Sequence, residues 1–212
     1  MNPVQPPRTL REEQKAFTRQ RLLNAAVDVF QRVGYTQATI EEITSAAGAS
    51  RATFYLHFKS KAEIVKALLD EELLPDSNEI YEALHALENP TRLEARALVS
   101  DLLRYWDVHR GAIDILIQAH AAEPEEIAPG WGKALLGTSA VLAHYLTHVR
   151  QVDDEAAHVR AVLLIGLVDR YTFFARLPGV HLDPEVVLDA LTDYWLMSFQ
   201  PNMLVADLAG RV

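Results

Sequence analysis

The sequence has no cysteine. Disulfides, thiolate metal sites and cysteine nucleophiles are excluded, and any metal site would have to be built from histidine and carboxylate. It also lacks any run near the roughly 18 consecutive apolar residues that a membrane span needs, and a basic N-terminal segment leading into an apolar stretch. No membrane partner is expected, and the expected location is cytoplasmic. Strand-like alternation and low-complexity repeats are missing too. There is no Gly-x-Ser-x-Gly or dinucleotide fingerprint, and Gly130-Trp131-Gly132-Lys133 lacks the glycine spacing and the Ser/Thr of a phosphate loop. No enzyme site is identified and no cofactor is expected.

What is present is apolar content, 50% of 212 residues, enough for one or two packed domains. The net charge of −9 argues at first sight against a polyanionic partner. Its distribution argues the other way. Residues 1–69 carry ten Lys or Arg against six Asp or Glu, so the excess acid lies wholly in the remainder. A small basic module on an acidic body would orient the chain on DNA.

The fold class expected is all-α, with about nine helices. Pro3, Pro6 and Pro7 mark residues 1–12 as a disordered arm. Leu22, Leu23, Ala26, Val29, Phe30 and Val33 repeat at helical spacing up to Gly34, predicting a helix over about 13–33. Thr39 with Glu42 forms a capping box before a short helix that runs out near Ala47-Gly48-Ala49. Ser50 caps a second short helix ending near Phe58, and Ser60 with Glu63 opens a longer one that should stop at Pro75. Further helices are expected after Thr91, over 112–121, from an irregular Pro124–Gly130 entry to near Arg150, over 153–176, and from Asp183-Pro184 onward. Residues 1–75 read as one domain and 76–212 as another.

Two short helices joined by a glycine-containing turn are the parts of a helix-turn-helix, in which the first helix braces a second that enters the major groove. Phe54 and Phe58, four apart, should anchor the second helix. Ser50, Arg51, Thr53, Tyr55 and His57 fall off that face, with hydroxyls and donors suited to phosphates and base edges.

The runs Thr39-Ile40-Glu41-Glu42-Ile43, Ala47-Gly48-Ala49-Ser50 and Thr53-Phe54-Tyr55-Leu56-His57-Phe58-Lys59-Ser60-Lys61 resemble the TetR family of bacterial repressors, over residues 20–70 without a gap. By that resemblance Thr39, Tyr55, His57 and Lys61 would bind phosphates, while Arg51, Ala52 and Thr53 would meet bases. Ala52 departs from the glycine common there. The resemblance also implies a homodimer on a palindromic double-stranded DNA operator, released by an unidentified small-molecule effector, apolar or amphipathic. A constitutive or partner-controlled DNA binder without a pocket is the alternative.

In the body, the resemblance implies a dimer bundle, which would draw on Val159, Val162 and Gly166 on one helix and Val187, Leu191, Tyr194 and Trp195 on the last, though Gly166 would serve an internal contact as well. A ligand pocket would draw on Trp106, His109, Ile113, Ile117, His120, Leu142, Tyr145, Leu146, Val168 and Tyr171, a set that equally suits a plain core. His144 and His148, four apart, read as a solvated pair and not as metal ligands.

Overall fold

The computed structural model describes residues 9–200. Among them there is no strand. The α-helices are α1 (Leu10–Val33), α2 (Ile40–Ala46), α3 (Arg51–Tyr55), α4 (Lys61–Leu68), α5 (Leu74–Glu82), α6 (Arg92–Val108), α7 (Arg110–Ala122), α8 (Pro124–His148), α9 (Asp154–Phe174) and α10 (Pro184–Ser198). A π turn, Leu69–Leu73, joins α4 to α5 without a break, so the described residues hold nine uninterrupted helical runs, matching the expected class.

Local chemistry sets most starts. Thr9, Thr39 and Thr91 each form a full capping box, with Glu12, Glu42 and Glu94. The first of these corrects the expected 1–12 arm. Thr9 caps α1 and Leu10 to Glu12 are helical, while residues 1–8 lie outside the described residues. At Ser60 only half a box forms, because the Glu63 carboxylate takes the backbone N–H of Lys59 instead.

Pro75 does not end its helix. Proline crowds the carbonyl four residues earlier and offers it no N–H; here that carbonyl belongs to Glu71, inside the widened π turn that absorbs both defects. Pro124 to Gly130 is likewise helical, with Pro129 inside α8.

The chain forms two compact units. One comprises the described residues up to Leu69 together with Gly111–Ala128; the other comprises Asp70–Arg110 and the described residues from Pro129. In the first, Leu22, Leu23, Ala26, Val29 and Phe30 of α1 are buried with Ile43, Phe54, Phe58, Ile64 and Leu68. In the second, Leu98, Val99 and Leu102 of α6, Leu142, Tyr145 and Leu146 of α8, and Leu188, Leu191 and Trp195 of α10 share a core. Along its rim Arg92 pairs with Asp189 at 3.3 Å and Asp193 at 3.1 Å, and Arg96 with Asp189 at 3.0 Å.

Candidate nucleic-acid interface

The turn between α2 and α3 is held from both sides. Gly48 takes φ +59°, and a Cβ there would stand 3.0 Å from the Arg21 guanidinium, which donates to the Ala47 carbonyl. Ala49 N–H donates to the Thr44 carbonyl at 2.9 Å. Ser50 Oγ then accepts from Thr53 N–H at 3.0 Å and starts α3.

Phe54 and Phe58 are buried, their ring centres 6.0 Å apart, and they fix which side of α3 faces in. Arg51, Ala52, Tyr55 and Leu56 are left exposed, with Tyr55 at 48%. Arg51 pairs with the Glu41 carboxylate of α2 and reaches the Tyr55 hydroxyl at 3.5 Å. The Tyr55 hydrogen bond and then Glu41 push the Arg51 pKa further up. Ser50 and Thr53 are half committed, their hydroxyls 2.9 Å apart.

His57, just beyond α3, lies within electrostatic reach of Lys15 and Arg19 of α1. Burial first, then these two charges, hold its pKa below the ordinary histidine value. Arg19 also lies 4.9 Å above the Phe58 ring. Neither basic residue was singled out from the sequence, although Lys15 and Arg19, four apart on a helix, carried the signal.

Thr39 is exposed, with its hydroxyl in the Glu42 box. Lys61 is turned inward. Its ammonium donates to the carbonyls of Tyr35 at 2.7 Å and Ala38 at 2.8 Å, approaches that of Thr36 at 3.4 Å, and lies 4.6 Å from the Tyr35 ring centre. Its three donors are thus spent on the loop that presents Thr39, and burial lowers its pKa. The same loop is tied to α7, because Tyr35 N–H donates to Gln118 at 3.0 Å and Tyr35 O–H to Glu123, just after α7, at 2.8 Å. A cleft of about 390 Å³ opens between Thr39, Glu41, Lys59 and Lys61.

The ten pocket residues expected from the sequence divide between the two units. Ile113, Ile117 and His120 lie in the first unit and the other seven in the second. Leu142, Tyr145, Leu146 and Val168 are fully packed core, and the Tyr145 hydroxyl donates to the Leu87 carbonyl at 2.9 Å. Trp106 and Tyr171 are partly buried against that core. Of the ten only His109 borders the second unit's surface groove, about 430 Å³, where it meets Asp76 at 3.0 Å beside Glu79, Ile80, Asp101 and Tyr105.

The seven dimer residues also divide. Val159 at 56%, Val162 at 37% and Tyr194 at 55% are exposed, and a Cβ on Gly166 would meet nothing within 4 Å among the described residues. Val187 is half-buried. Leu191 and Trp195 are a correction: both point into the core, where Trp195 stacks on Tyr81 at 6.2 Å. Leu163, Val186 and Met197, exposed at 65%, 66% and 46%, extend the outer apolar surface instead. His144 and His148 are exposed and stacked at 4.0 Å.

Residues 22–68 match the sequence model of bacterial regulatory proteins of the tetR family. The HTH-type transcriptional regulator SrpR of Pseudomonas putida is 42% identical over 52 residues, 24% of each chain. The HTH-type transcriptional repressor BepR of Brucella suis is 27% identical over 162 residues, covering 72% of this chain and 78% of BepR. The chain spans about a quarter to two-fifths of the length of the curated relatives it matches at 41–42% identity. Among solved structures, a putative TetR-family regulator from Mesorhizobium loti superposes with TM-score 0.67 at 20% identity, covering 88% of this chain and 96% of its own. FadR from Bacillus subtilis, in complex with stearoyl-CoA, superposes with TM-score 0.64 at 21% identity, covering 85% and 96%. The helix-turn-helix segment is thus similar in sequence to that of tetR-family regulators, and the helical architecture is that of solved TetR-family structures.

Proposed function

We propose that the protein is a dimeric repressor that reads a palindromic operator through α3 and leaves it when a small apolar or amphipathic molecule binds the body. The observation that carries this reading is α3 itself: Phe54 anchors it from below, while Arg51, Ala52 and Tyr55 stand in solvent beside a Ser50 cap. Arg51 then offers a planar fork to a base edge, and Tyr55, Thr39 and His57 offer donors to phosphates. Lys61 serves indirectly, by holding the loop behind Thr39. Repression is the activity in the name of BepR, and an acyl thioester is bound in the FadR complex; both are properties of those proteins that motivate the choice of assay.

The test is fluorescence anisotropy of the protein on duplexes that it has itself enriched from its host genome, with and without stearoyl-CoA and other amphipaths. Tight palindrome binding that ligand weakens supports the reading. Failure to retain any duplex overturns it. The packing of Leu142, Tyr145, Leu146 and Val168 into a filled core favours a second reading, a constitutive DNA binder. It takes over if every compound that binds leaves operator affinity unchanged.

A further inference from the structure

We propose that the DNA interface extends beyond the helix-turn-helix along α1, where Arg11, Lys15 and Arg19 form a basic stripe that grips the phosphate backbone flanking each half-site. This rests on the DNA-binding reading above. The stripe lies wholly outside the matched residues 22–68.

Three observations carry it. The residues are spaced by four, so they share one helix face, and they span about 12 Å at 1.5 Å per residue. Its inner end is located by contact: Arg19 covers the ring of Phe58, three residues after α3, at 4.9 Å, and the charges of Lys15 and Arg19 both reach His57. The stripe therefore starts at the C-terminal end of the reading helix and runs toward Thr9. Arg11 and Lys15 are also exposed, and among the described residues their side chains make no ion pair or hydrogen bond, whereas Arg51 already has Glu41. The nearby carboxylates are occupied or off the stripe. Glu12 is spent in the Thr9 capping box, and Glu13 stands two positions from Arg11 and from Lys15, on another face.

A row of cations of that length suits a row of phosphates, which recur about every 3.4 Å of duplex axis on each strand. Phosphate contacts set register and affinity without reading sequence. The stripe should make binding depend on the length of the flanks and leave base preference alone. Lys15 would also reach the backbone next to His57, so that the end of α3 and the middle of α1 clamp the same stretch.

The experiment measures operator affinity against salt for the parent, Arg11→Ala, Lys15→Ala and Lys15→Arg, on a duplex trimmed to the half-sites and on one with native flanks. Alanine is a good helix former, and circular dichroism confirms that α1 persists. Each alanine variant is expected to flatten the slope of log affinity against log salt by about 0.9 per protomer bound. Over a fourfold rise in salt that is roughly 3.5-fold less loss of affinity per protomer. Lys15→Arg should keep the parent slope, and the flanks should help the parent but not the Arg11→Ala, Lys15→Ala double variant. Parent-like slopes in the alanine variants, with the parent binding its operator, overturn the stripe and leave α3 as the reader. A parent that binds no duplex overturns both.

Discussion

At the scale of single residues the decisive group is Arg51, and its partner Glu41 is as informative as the arginine. An exposed ion pair of this kind contributes about 0–1 kcal/mol to stability. In the proposed complex Glu41 would compete with DNA for the guanidinium and add a negative charge beside the phosphates. Glu41→Gln is expected to leave the melting temperature near that of the parent and to raise operator affinity, measured by anisotropy; weaker binding would mean that Glu41 orients Arg51 for the base. His57 makes a separate prediction. Its pKa is lowered in the folded protein by burial, Lys15 and Arg19, so below the ordinary value of 6.5 the unfolded chain takes up a proton before the native state does. Stability should therefore fall as pH drops through that value and level off once the native group is also protonated. Lys15→Ala should soften the decline in thermal melts of DNA-free protein. A decline of parent size would remove Lys15 as a cause.

Among the elements, the helix-turn-helix is the part that sequence spelled out, because its determinants are local. Capping residues, a glycine with positive φ and two phenylalanines four apart lie within about one turn of what they control. Removing the Thr39 cap by Thr39→Ala should cost about 1 kcal/mol in denaturant unfolding. Gly48→Ala adds left-handed strain of about 1–2 kcal/mol and a methyl against Arg21, so it should destabilise more than Thr39→Ala. What sequence misjudged depends on non-local or compensating structure. Pro75 reads as a stop until the π turn over Leu69–Leu73 is seen. Lys61 reads as a surface cation, but three backbone carbonyls of a loop some 25 residues earlier in the chain draw it inward. In the body, apolar periodicity marks buried and partner-facing positions alike. That is why Leu191 and Trp195 were grouped with Tyr194, although α10 turns the first two into the core and the third outward. The same ambiguity merged Tyr145 and Leu142 with groove residues.

For the whole molecule, the outer apolar surface of α9 and α10 is the proposed site of self-association. Leu163→Glu, at a position 65% exposed, should convert the dimer to a folded monomer by light scattering and abolish tight operator binding. Leu191→Glu places the same charge in the core and should unfold the body instead. Dissociation by neither variant, or by both only on unfolding, would move the interface elsewhere. Linkage adds a strict condition on any effector, since a ligand that weakens operator binding by some factor must itself be weakened by operator to the same extent. The central claim, that α3 reads sequence, is tested most directly by selecting binding sites from random duplexes with the parent and with Arg51→Ala. The account predicts a palindrome for the parent and, for Arg51→Ala, the same palindrome with base preference relaxed at one position in each half, a discrimination of about 1–3 kcal/mol. An identical motif from both proteins, or no enrichment from the parent, would contradict it.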